Sequence, residues 1–166
     1  MITGIGHLAF RVANLEHSLH FYCDILGFDE AFRLDREGVP SPWIVYIQIA
    51  PGQYIELFPV GAPEGSAAKL GTGEPRFALN SSAIDASTGG SYHHFSLTVD
   101  DAKATLAELV ARGVPADRIG SASEGPDYNR QYWVADPDGN KVELMEITSA
   151  SPHAAAEVRW AAKHHR

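Results

Sequence analysis

A shift of 87 positions lays the second half of this chain on the first, and no other feature narrows the possible folds as far. His7-Leu8-Ala9-Phe10-Arg11-Val12-Ala13-Asn14 falls on His94-Phe95-Ser96-Leu97-Thr98-Val99-Asp100-Asp101. Gly52-Gln53-Tyr54-Ile55-Glu56-Leu57 falls on Gly139-Asn140-Lys141-Val142-Glu143-Leu144 at the same offset. With 166 residues to divide, the chain reads as two similar units of about 80 residues each.

Each half reads as a strand entering a helix, then three further strands, an α+β chain of two tandem βαβββ modules. In the first module, residues 1–59, strands are expected over 5–12, 28–34, 43–50 and 53–59. Its helix, over about 15–26, opens at Asn14, sets Leu15, Leu19, Tyr22 and Leu26 at helical spacing and stops at Gly27. In the second module, residues 92–148, strands are expected over 92–99, 115–122, 130–136 and 141–147. Its helix, over 102–112, runs between a cap at Asp100 or Asp101 and Gly113, and Asp136-Pro137-Asp138-Gly139 turns the last hairpin. Residues 60–91, rich in Gly, Ala, Ser and Pro, read as a linker or a lid, and 149–166 as a helical tail with Ala155, Val158 and Ala162 on one face.

Glu56 and Glu143 pose the chemical question, because each stands on a strand between apolar neighbours and a buried carboxylate without a partner costs several kcal/mol or more. One divalent cation compensates two such groups, and neutral imidazoles suit the same ion. A set of two His and two carboxylates leaves up to two positions of an octahedral metal open for substrate oxygens. A strand histidine taken alone is more often a surface residue. His7 and His94 share the offset of the two glutamates, and halves related by a pseudo-twofold axis bring equivalent residues toward one centre. The expected site is therefore one divalent ion, Ni, Zn, Co, Mn, Mg or Fe, held by His7, Glu56, His94 and Glu143. His93 competes with its neighbour, but the repeat aligns His7 with His94, and adjacent strand residues face opposite ways. His17, His20, His153, His164 and His165 have no counterpart in the other half and read as solvated. Cys23, set among Leu19, Phe21, Tyr22, Ile25 and Leu26, reads as a small hydrophobe.

Composition removes several function classes. Apolar residues make up 45% and charged residues 20%, the balance of a globular protein. The formal net charge is -8 with the Lys and Arg residues scattered, so neither nucleic acid nor an anionic membrane is an expected partner. No run approaches the roughly 18 to 20 apolar residues that span a bilayer. A single cysteine forbids an intrachain disulfide, the N-terminus shows no signal core, and a cytoplasmic protein acting on a small molecule is expected.

Four segments carry a family resemblance: residues 4–12, Phe21-Tyr22-Cys23-Asp24-Ile25-Leu26-Gly27-Phe28, Tyr54-Ile55-Glu56-Leu57-Phe58, and residues 136–144. Over residues 4–148 the chain resembles the vicinal oxygen chelate superfamily of glyoxalases, bleomycin-resistance proteins and extradiol dioxygenases. That resemblance implies a cupped eight-stranded mixed sheet around a metal site, and a homodimer. The His, Glu, His, Glu set is similar to that of bacterial glyoxalase I, which implies a lyase or isomerase working through an enediolate, with Glu143 or Glu56 as the mobile base. Arg11 matches a family arginine that meets glutathione, or forms a surface ion pair. Other matches fail: Val60 stands where an Asn is common, and the loop 123–130 carries Glu124 and Asp127 where a cation is common, with Arg130 as a partial substitute. Tyr92, Tyr128, Tyr132 and Trp133 are expected to line the pocket, with Tyr132 as a substrate contact, or to pack the core. An iron-dependent oxygenase of an aromatic substrate and a non-catalytic binding protein are the alternative readings.

Overall fold

The computed structural model describes residues 4–59 and 93–164; the expected linker over 60–91, with Val60, and Tyr92 lie outside the described residues. The chain divides into two compact units, 1–93 and 94–166. The first contains β1 (His7–Val12), α1 (Leu15–Leu19) running on as a π-helical segment (His20–Ile25), β2 (Asp29–Leu34), β3 (Ile44–Ala50) and β4 (Gln53–Pro59). The second contains β5 (Phe95–Thr98), α2 (Ala102–Ala111), a 3-10 turn (Ala116–Arg118), β6 (Ser123–Glu124), β7 (Arg130–Ala135), β8 (Lys141–Glu146) and α3 (Pro152–His164).

The eight strands form two four-stranded mixed sheets of the same topology, β1-β4-β3-β2 and β5-β8-β7-β6. The first strand of each unit runs parallel to the last, and the remaining pairs are antiparallel. One face of the first sheet carries Val12, Val45, Ile47, Ile55 and Leu57, all fully buried, and α1 with its π segment adds Phe21, Tyr22 and Ile25 to that core. The second sheet repeats this with Phe95, Val134, Val142 and Leu144, joined by Ala102 and Leu109 of α2. Each buried Val, Leu or Ile contributes about 1.5 to 3 kcal/mol, so a one-residue slip of β3 or β4 would turn several such residues to water. That alternation fixes the identity of the opposite face, where the candidate ligands lie.

The helix boundaries follow from local chemistry. Asn14 Oδ1 accepts from His17 N at 3.0 Å, and Asp101 Oδ1 accepts from Ala104 N at 2.8 Å, so each module caps its helix with the side chain at the same repeat position. Gly27 and Gly113 end the helices at φ 79° and 106°, a left-handed conformation that favours glycine. The first helix departs from the expected regular one: beyond Leu19 its turns widen, and Leu26 N donates to Phe21 O.

The strand expected over 115–122 is not formed. Pro115 supplies no amide hydrogen, the chain turns through Ala116–Arg118, and the Arg118 guanidinium donates to the carbonyl oxygens of Asp136 and Pro137. Gly120 then crosses Trp133 so closely that a Cβ there would come within 2.7 Å of the Trp133 Cβ, and its amide donates to Trp133 O. Pairing with β7 is left to the single bridge Ile119–Val134 and to the two residues of β6. The tail is helical, and Val158 on its expected apolar face is 71% exposed.

Candidate metal centre

Opposite the core face of the first sheet, β1 presents His7, Ala9 and Arg11, β4 presents Tyr54, Glu56 and Phe58, and β3 presents Tyr46. Glu56 is 7% exposed, and its Oε2 lies 3.3 Å from His7 Nε2. Its other oxygen, Oε1, accepts a hydrogen bond from the hydroxyl of Tyr46, the residue directly across the ladder. Burial, then the bond to Glu56, then the charge of Glu56 push the Tyr46 phenol up to about 12, which keeps the hydroxyl protonated near neutral pH. Rings pack round it. Phe32 stacks on Tyr46 at 4.4 Å and 23°, while His7 and Tyr54 meet it edge-on at 6.1 and 6.2 Å.

The second unit repeats the pair. His94, immediately before β5, places Nε2 3.2 Å from Oε2 of Glu143, which is 5% exposed. Trp133 stands across the ladder from Glu143, edge-on to His94 at 4.9 Å and 81°. His93 is exposed.

These spacings suit a metal. Two donors about 2.1 Å from one ion, separated by roughly 90° to 110° at it, lie about 3.0 to 3.4 Å from each other. Both His–Glu distances fall in that interval, and imidazole with carboxylate is a donor set for divalent transition ions. Among the described residues no group of three or more His, Cys, Asp or Glu gathers in a form that could hold an ion; each unit supplies a pair.

The remaining expected contacts divide by strand face. Arg11 shares the face of His7 and Glu56. Arg130 and Tyr132 alternate onto the face of Leu144 and Glu146, opposite Glu143; Arg130 is ion-paired with Glu146, and Arg130 and Tyr132 line a cavity of about 300 Å³ with Ala122, Ser123 and Glu124. Of the expected aromatic lining among the described residues, Trp133 adjoins the His94–Glu143 pair, whereas Tyr128 is exposed at a positive φ of 61°. Asp127 turns to the buried Asn129, whose Nδ2 lies 2.8 Å from Asp127 Oδ2 and 2.9 Å from His153 Nδ1, so His153 is part of a network. Tyr46 and Phe32 escaped the sequence reading. The signal for Tyr46 was present, since Tyr46 and Trp133 fall on the same offset as the two His–Glu pairs.

The glyoxalase/bleomycin resistance protein/dioxygenase superfamily profile matches residues 4–144. The chain belongs to that superfamily. Among its relatives, the lactoylglutathione lyase of Haemophilus influenzae is 29% identical over 145 residues, 87% of this chain and 93% of that protein. The catechol-2,3-dioxygenase of Bacillus subtilis is 26% identical over 148 residues, 86% of this chain, which spans only 41% of that protein's length. The crystal structure of lactoylglutathione lyase from Agrobacterium tumefaciens superposes with a TM-score of 0.58 at 18% identity, covering 87% of this chain and 94% of that one, a likeness of fold. Superfamily members act on small molecules and generally use a divalent metal; relatives at this distance support the superfamily rather than one reaction. No helix among the described residues is long and apolar enough to cross a membrane.

Proposed function

We propose that this superfamily member is a metal-dependent lyase or isomerase of the glyoxalase type, acting on a small substrate with vicinal oxygens. The observation that carries the reading is the repeated pair: two buried carboxylates, each with an imidazole nitrogen at ligand-to-ligand spacing, at equivalent positions of a duplicated module. The residues proposed as ligands of a divalent ion are His7 with Glu56 in the first unit and His94 with Glu143 in the second. A bound ion would supply Lewis acidity to neighbouring substrate oxygens and make the C–H next to the carbonyl more acidic. Glu143 or Glu56 then moves the proton between adjacent carbons, since a carboxylate in apolar surroundings is a competent base once it reaches the carbon acid.

Charge argues for a substrate smaller or less anionic than a glutathione adduct. Each glutathione carboxylate needs a cation or several donors to offset its desolvation. Arg130 is engaged with Glu146 on the other face of its sheet, and a net charge of -8 repels anions at long range. A second reading, an iron-dependent oxygenase of an aromatic substrate, draws on the ring cluster of Phe32, Tyr46 and Tyr54 beside the first pair.

Purification without added metal followed by elemental analysis and divalent-metal titration tests the reading. About one ion per chain is expected, with binding weakened severely in both Glu56→Gln and Glu143→Gln because the amide neither balances the ion's charge nor accepts a proton. Failure to bind any divalent ion sinks the reading, and iron with oxygen uptake favours the oxygenase. Turnover of the methylglyoxal–glutathione hemithioacetal at kcat/KM of about 10⁴ M⁻¹s⁻¹ or more would overturn the claim about substrate charge.

A further inference from the structure

We propose that Tyr46 is a positioning residue that holds Glu56 in its ligand orientation before any ion arrives, so that the two carboxylates of the duplicated site are not equivalent. This rests on the metal reading above. Glu56 has two oxygens with separate duties: Oε2 faces His7 Nε2 at 3.3 Å, while Oε1 accepts from the Tyr46 hydroxyl. A glutamate side chain has several rotatable bonds, and a donor on the oxygen that does not face His7 removes the freedom that an ion would otherwise have to quench on binding. Partners of this kind orient metal ligands in general.

Tyr46 is itself held. Phe32 lies flat against its ring at 4.4 Å, and His7 and Tyr54 close on its edges, so the hydroxyl has little room to swing away. Phe32 is on the edge strand β2 and is 45% exposed, so its stacking can be removed without opening the core and without touching His7 or Glu56.

The duplication shows that the hydroxyl is not a requirement of the fold. The register that sets Tyr46 across from Glu56 sets Trp133 across from Glu143, and the second module forms the same ladder there without a phenol. Trp133 instead meets the histidine, edge-on to His94, and among the described residues no hydroxyl reaches Glu143. One half of the donor set is thus braced at its carboxylate and the other at its imidazole.

Tyr46→Phe removes one oxygen and leaves the ring stack. Cobalt(II) is the probe, titrated into metal-free full-length protein with the visible absorption of the bound ion recorded. Tyr46→Phe is expected to weaken cobalt binding about tenfold and to alter its absorption bands, with thermal unfolding of the metal-free protein nearly unchanged. Phe32→Ala, which keeps the hydroxyl but loosens the ring, is expected to give a smaller loss in the same direction, and Tyr128→Phe, at an exposed phenol in the other unit, none. Wild-type affinity and spectrum in Tyr46→Phe, alongside lost binding in Glu56→Gln, would overturn the positioning role while leaving the metal reading in place. A wild-type protein that binds no cobalt or other divalent ion overturns both.

Discussion

Cys23 sits half-buried on the π-helical segment near Asp24, Asp29 and Glu30. Burial is the first cause that raises its thiol, and the three carboxylates add to it, while Arg33 opposes them. Because the neutral thiol is favoured, the reactive thiolate forms at a higher pH than it does on an exposed cysteine. Iodoacetamide should therefore modify Cys23 slowly at neutral pH, with the midpoint of the rate profile above the value of about 8.5 found for free cysteine; a midpoint at or below that value would contradict the assigned environment. The same weighing of single groups explains what could be read from the sequence. Glu56 and Glu143 stood out because a carboxylate among apolar strand neighbours demands a partner, and each is found buried beside a histidine. Tyr46 did not stand out, since a strand tyrosine is an ordinary way to fill a core and its hydroxyl gains meaning only from the cross-strand register. Arg130 and Tyr132 were legible as polar and aromatic residues of a loop and strand, but their face depended on where β7 begins.

At the scale of elements, side-chain capping was legible and the less regular chain paths were not. Asn14, Gly27, Asp101 and Gly113 act through local backbone chemistry and mark helix ends without reference to the rest of the fold. The loss of the strand at 115–122 depends on Arg118 reaching carbonyls of the β7–β8 hairpin and on Gly120 passing over Trp133, contacts between residues distant in sequence. That hairpin has its own lock. The fully buried Asp136 carboxylate accepts from Asp138 N at 3.0 Å, Asn140 N at 2.8 Å and Asn140 Nδ2 at 2.8 Å. Asp136→Ala would leave these donors without their acceptor at the root of the strand that bears Glu143, and is expected to cost about 3 kcal/mol in denaturant unfolding. A loss under about 1 kcal/mol would mean that water replaces the carboxylate readily.

For the whole molecule, the offset of 87 was the most informative reading, because it related two βαβββ patterns and two His–Glu pairs at once. Assembly is less constrained by the chain itself. We propose a homodimer, supported by the exposed Val158 on α3 and by the frequency of dimers in the superfamily. Sedimentation at micromolar concentration is expected to show a species of twice 18.0 kDa, and a single species at 18.0 kDa would count against it. The π-helical segment carries a different kind of information about the molecule. Thirteen positions separate the cap at Asn14 from Gly27, and twelve separate Asp101 from Gly113. Correspondingly, Phe28 N reaches back six residues to Tyr22 O, where Val114 N reaches back five to Leu109 O. The two copies have thus fallen out of step by one residue, through an insertion in the first or a deletion from the second, and the helix has absorbed the difference by widening a turn. Because the offset is again 87 at Tyr46 and Glu56, the slip is compensated before β3, and the alignment of the strands that carry the His–Glu pairs is preserved on either side of it.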